Sequence, residues 1–183
     1  MDHAVRARAL NVAGFLLGWL ACVGGAAWGM PWLGPAATAL LLGVHAGAAA
    51  RPFHELRRLA AVGAFGVAVE SAALASGLYG YAGGWAVWWL APAWVAALWL
   101  LLGATFESSL RFLDRRPLLT AAAGAAGGGL SLALAMRLGA ARFAVPPSVG
   151  LAGGALLWAA ALPLAFAVSR LAGGGRKGAP PRV

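Results

Sequence analysis

Acidic residues are nearly missing from this 183-residue chain: Asp and Glu number five against 14 Lys and Arg, and only 10% of positions are charged. An ordinary globular domain carries about 25% charged and about 45–50% apolar residues. Here 62% are hydrophobic, too many for so few charges to cover as a water-soluble surface. Cysteine is reduced to one, Cys22, which excludes an internal disulfide and leaves the redox compartment unmarked. Cys22 reads as a small apolar packing residue. Trp19, three residues before it, is a poor fit for the aliphatic position of a lipidation site. The catalytic motifs tested are also missing. There is no Gly-x-x-x-x-Gly-Lys-Ser/Thr loop, no His-Glu-x-x-His, no Gly-x-Ser-x-Gly and no cysteine pair, so phosphate cradling is not expected and no metal or cofactor is called for.

What the chain has instead is long apolar runs. A hydrocarbon core about 30 Å thick is crossed by about 20 apolar residues in a helix, and backbone groups in lipid must pair within their own segment. Six runs fit: about 9–28, 33–50, 59–79, 88–108, 118–136 and 149–168. The expectation is an all-α polytopic membrane protein, one compact bundle of six transmembrane helices over 1–171. The first run also has the basic start and small-residue end of a signal peptide, but its apolar stretch is longer than usual for one and a retained helix is preferred. Residues 172–183 are Gly/Pro-rich and basic, and read as a disordered cytoplasmic tail lying against anionic headgroups.

The net charge of +9 would elsewhere suggest nucleic acid. Here the basic residues fall in clusters between apolar runs, so the partner read from them is the lipid bilayer and no nucleic acid is expected. Arg6 and Arg8, then Arg51, Arg57 and Arg58, then Arg111, Arg115 and Arg116, then Arg170, Arg176, Lys177 and Arg182 all fall on one side of a six-span chain; Arg137 and Arg142 fall on the other. Positive residues stay inside, which puts both termini in the cytoplasm of a bacterial inner membrane. Trp28, Trp32, Tyr79, Tyr81, Trp85, Trp88 and Trp89 cluster at the uncharged ends of the spans and read as an interfacial aromatic belt, or as a sugar- or lipid-binding rim. Trp32-Leu33-Gly34-Pro35-Ala36 is echoed by Trp89-Leu90-Ala91-Pro92-Ala93, which suggests three similar helical hairpins; span length alone would give the same pattern. Small residues four apart (Gly14 and Gly18, Gly43 and Gly47, Gly124 and Gly128, Gly150 and Gly154) are the spacing by which helices approach closely in lipid.

Polar residues within such runs are costly and mark candidate sites. Glu70 lies 12 residues beyond Arg58, about 18 Å into the bilayer, on a helix face of small residues. It should point into the bundle, as a proton relay, a ligand for an ion or headgroup, or a carboxyl tying helices together. His45 lies six residues before Arg51 and reads as a base, a proton carrier or a hydrogen-bonded packing residue. Glu107 sits at the basic end of the fourth run with Arg111 four residues on, the order that favours a helical ion pair. Asn11 is placed to cap or pack helices. Asn11, His45 and Glu107 share a depth, with Glu70 deeper, and together would make a polar pocket opening toward the inner leaflet.

Asn11, Gly18-Trp19, the run Cys22–Gly29, Trp32–Pro35, Glu70-Ser71, Leu90–Trp94 with Trp99, and Glu107–Arg111 together resemble domain-of-unknown-function family 2878, small bacterial membrane proteins, over roughly Asn11 to Ser169. The resemblance implies no established activity. Members look like companions of lipid-modifying genes such as cyclopropane-fatty-acid synthases. It therefore implies a role accessory to membrane-lipid modification, with lipid-modifying proteins as partners. A proton-coupled carrier using Glu70, and a membrane enzyme using His45 and Glu107, stand as alternatives.

Overall fold

The computed structural model describes residues 3–47, 49, 51–83 and 87–174. It is an all-α bundle of six helices: α1 (His3–Ala27), α2 (Leu33–Gly47), α3 (Pro52–Ala75), α4 (Ala93–Gly103), α5 (Pro117–Leu138) and α6 (Pro147–Ala172). One short antiparallel pair is added, β1 (Tyr79–Tyr81) on β2 (Ala141–Phe143). Prolines open α3, α5 and α6, where their missing N–H has no intrahelical acceptor to lose. Gly139, at φ +86°, ends α5 in the left-handed conformation that glycine adopts without strain. Consecutive helices pack as α1–α2, α3–α4 and α5–α6 hairpins, and α3 lies against α6 as well as α4.

Four helices, α1, α3, α5 and α6, are long and apolar enough to cross a membrane. Leu10, Leu17, Leu20, Leu130 and Leu156 on these helices turn outward, as an apolar solvent would allow.

The second and fourth runs differ from the lengths read in the sequence. Helix α2 has 15 residues, about 22 Å, and α4 has 11, about 16 Å. Pro92 delays the start of α4, and its end has a specific cause. The Leu102 carbonyl accepts the Thr105 hydroxyl at 2.6 Å, the Gly103 carbonyl accepts Arg58 Nη1 at 2.9 Å, and the Ala104 carbonyl accepts Asn11 Nδ2 at 3.1 Å. The backbone tightens here into turns, Thr105 N–H donating to the Leu102 carbonyl and Phe106 N–H to the Gly103 carbonyl, and these side chains add further donors at the helix end. Trp94, Val95, Ala97, Trp99 and Leu101 of α4 are buried within the bundle.

Close approach is decisive between α5 and α6. A Cβ on Gly124 would come within 2.2 Å of the Trp158 carbonyl oxygen, and one on Gly128 within 2.1 Å of the Trp158 ring. The Gly43 and Gly47 pair is different. A Cβ on either would meet nothing within 4 Å, so among the described residues this pair is not a packing seam.

The elements sort into two ends. At one, Asn11 near the start of α1 bonds the segment after α4, Arg58 reaches Ser169 near the end of α6, and Arg170 pairs with Asp114 at 2.8 Å. The basic segments near Arg8, Arg58, Arg115 and Arg170 therefore gather at one end. The opposite end is closed by the β1–β2 pair and the turns beside it. Residues 175–183, most of the expected tail, lie outside the described residues, as does Trp85.

Candidate functional site

Two polar clusters occupy the two ends of the bundle. The first is built on Glu70 of α3, whose side chain is 1% exposed. Its Oε2 accepts the hydroxyls of both Tyr79 and Tyr81, each at 2.7 Å. The two tyrosines are successive inward positions of β1, two residues apart with Gly80 between them, and their rings tilt against each other at 5.4 Å. Tyr81 also stands edge-on to Trp94 of α4, whose indole N–H donates to the Ala82 carbonyl at 2.9 Å. The Ser71 hydroxyl accepts the Ala91 N–H at 3.0 Å. Glu70 is thus the anchor of the cap that closes this end. It lies five residues before the end of α3, about 7 Å from the end, so it belongs to the last quarter of its helix rather than the middle.

This arrangement corrects part of the aromatic reading. Trp28, Trp32, Trp88 and Trp89 are exposed, as belt residues would be. Tyr79 is buried and Tyr81 half-buried, both committed to Glu70.

The second cluster lies at the basic end. Arg58, 2% exposed, is the centre of it. Its guanidinium forks onto Glu55, one turn earlier on α3, with Nε donating to Oε2 at 3.0 Å and Nη2 donating to Oε1. Nη1 donates to the Gly103 carbonyl and to Ser169 Oγ at 3.0 Å. Three helices are therefore joined by one side chain. His45, at the end of α2, donates through Nε2 to Glu55 Oε1 at 2.7 Å. A buried arginine is tolerated when its carboxylate partner and remaining donors are all matched, and the guanidinium's planar fork provides for that. Glu107, 70% exposed, approaches Arg58 Nε at 3.9 Å. These residues line a cleft of about 550 Å³ together with Arg51, His54, Ala104 and Ser108.

Of the four residues expected to share a pocket, the structure brings His45 and Glu107 to this cleft. Asn11 borders it: it donates to the carbonyl of Ala104, a lining residue, and its Oδ1 accepts the Ser109 hydroxyl at 2.6 Å. Glu70 is apart, 12 residues up α3 from Arg58 in the other cluster. The Glu107–Arg111 pairing does not occur among the ion pairs of the described residues. The reason is local: residues 104–110 run as turns and Arg111 opens a short 3-10 segment, so four residues no longer span one helical turn.

Of the residues that build these clusters, Glu55 is not singled out by the sequence, which reads Arg58 as a loop charge and Tyr79 as a belt or rim residue. The available signal was Glu55 three residues before Arg58 at a helix start, with His54 beside it, in a chain of only five acids.

A second cavity, about 420 Å³ and almost entirely apolar, opens between α2, α3 and α4. No curated protein and no solved structure matches the chain. The family model described as Protein of unknown function (DUF2878) matches residues 8–164, and the chain belongs to that family.

Proposed function

We propose that this is a bacterial inner-membrane protein with all six helices in the bilayer and both termini cytoplasmic. Its working site is the cleft of His45, Glu55, Arg58 and Glu107 at the inner face. Its role is that of an accessory component in membrane-lipid modification. The observation that carries the reading is the placing of this cleft: it lies at the end where the basic segments gather, within a bundle whose long helices are apolar on their outer faces. A charged, hydrogen-bonded cleft at headgroup level suits lipid headgroups, which present charged and polar atoms at that depth.

The His45–Glu55 hydrogen bond favours one second reading, a membrane-embedded enzyme. A carboxylate that holds one imidazole nitrogen fixes the ring and leaves the other for proton transfer. The carrier reading asks Glu70 to exchange its partners, whereas both phenols hold it in place.

Comparative lipidomics of a deletion strain tests the proposal. An altered phospholipid profile is expected, restored by the wild-type chain and by Glu70→Gln. Restoration by His45→Ala supports the accessory role, and failure of His45→Ala alone supports the enzyme. An unchanged profile, or pH-gradient-driven flux in proteoliposomes that Glu70→Gln abolishes, overturns the lipid reading.

A further inference from the structure

The apolar cavity and the polar cleft are successive stretches of the same helix faces. On α2, Thr38 and Leu42 line the cavity and His45, the next position one turn on, lines the cleft. On α4, Ala96 and Leu100 line the cavity and the C-cap residue Ala104, one turn on, lines the cleft, with Glu107 beyond it in the turns that follow the helix. Residues three and four apart share a helix face, so on α2 one stripe passes from apolar to polar, and on α4 the cavity face runs on to the edge of the cleft. From Pro35 to His45 and from Ala93 to Ala104 the stripes run about 15–16 Å, half of a hydrocarbon core about 30 Å thick. The lining of the cavity is small or aliphatic, and that of the cleft is charged.

We infer that cavity and cleft together seat one glycerophospholipid, an acyl chain between α2 and α4 and the headgroup among the cleft residues. The charges select the headgroup class. Glu55 is engaged by Arg58 and His45; among the described lining residues the exposed Arg51 and the largely exposed Glu107, whose Oε1 also stands 3.9 Å from Arg58 Nε, present a cation and an anion outward. A phosphoethanolamine headgroup matches both, its phosphate toward Arg51 and His54 and its ammonium toward Glu107. A purely anionic headgroup would match the first and be repelled by the second. This assignment rests on the proposed working site, and names its ligand.

Native mass spectrometry of the detergent-purified full chain tests it, with phosphatidylethanolamine and phosphatidylglycerol added in separate titrations. One phosphatidylethanolamine per chain is expected at lower concentration than phosphatidylglycerol. Glu107→Gln and Arg51→Gln, both at exposed positions, should each weaken that binding roughly fivefold, the scale of one exposed ion pair. Ala96→Trp should fill the cavity and remove the adduct while helical circular dichroism and monodisperse elution stay as in the wild type. Equal binding of the two lipids with no effect of Glu107→Gln overturns the headgroup assignment. An adduct that survives Ala96→Trp overturns the acyl seat, and full competition by soluble O-phosphoethanolamine overturns a lipid as the ligand. If no variant binds phosphatidylethanolamine and the deletion strain's lipid profile is still altered, this site is lost and the proposed function stands.

Discussion

Arg58 has more side-chain hydrogen bonds at stake than any other of the described residues. It joins α3, the end of α4 and α6 through Glu55, the Gly103 carbonyl and Ser169. Removing Arg58 leaves Glu55 with His45 as its remaining partner among the described residues and takes the guanidinium from the Gly103 carbonyl and Ser169 as well; breaking a buried pair costs about 3–5 kcal/mol. Arg58→Met should therefore lower stability by that order in detergent thermal unfolding, and Arg58→Lys should recover little, since a lysine cannot hold two carboxylate oxygens and two further acceptors at once. At the other end, Tyr79→Phe and Tyr81→Phe each take a hydroxyl donor from a buried carboxyl. Each should cost about 1–3 kcal/mol. The double change should be non-additive, because both hydroxyls serve one oxygen. How legible these residues were differs for a physical reason. Glu70 was readable as inward-facing because its helix face is made of small residues. Its partners were not, because tyrosines at a span end also suit a membrane interface, and what turns Tyr79 and Tyr81 inward is a pairing of β1 with residues 141–143. Arg58 finds acceptors 45 and 111 residues away, and nothing in its own neighbourhood announces that.

Among the elements, the α5–α6 hairpin and the outer face of α2 make opposite predictions from the same residue type. Gly128→Ala would press a methyl into the Trp158 ring, and overpacking of this kind costs about 1–3 kcal/mol. Gly43→Ala meets open space and should be neutral or stabilise by up to about 1 kcal/mol through helix propensity. A comparison of the two by SDS or thermal denaturation, measured as unfolding midpoints, checks the sign of each. Helix existence followed from apolar run length, and the prolines and glycines marked several boundaries. The short α4 did not follow. Past Gly103 the backbone tightens into turns tied by bonds from Asn11, Arg58 and Thr105, two of which come from other helices, so a reading of local hydropathy continues the helix to Ser108. The missing Glu107–Arg111 pair is a consequence of the same turn.

For the whole molecule, the arrangement of charge is the property that organises the rest. Antiparallel hairpins bring the basic segments to one end and the exposed tryptophans Trp28, Trp32, Trp88 and Trp89 toward the turns of the other. The polar cleft belongs to the basic end and the Glu70 cap to the opposite one. The proposed orientation rests on this asymmetry, and so does the proposed lipid seat: with the cleft at the inner face, the cavity would reach from that leaflet's headgroups toward the midplane. Cysteine labelling tests this most directly, because Cys22 is fully buried and provides an unreactive background. Arg116→Cys and Trp88→Cys, both at exposed positions, are treated in intact spheroplasts with a membrane-impermeant maleimide. Labelling of Trp88→Cys at once, and of Arg116→Cys only after the membrane is permeabilised, is the predicted result; immediate labelling of Arg116→Cys would contradict it.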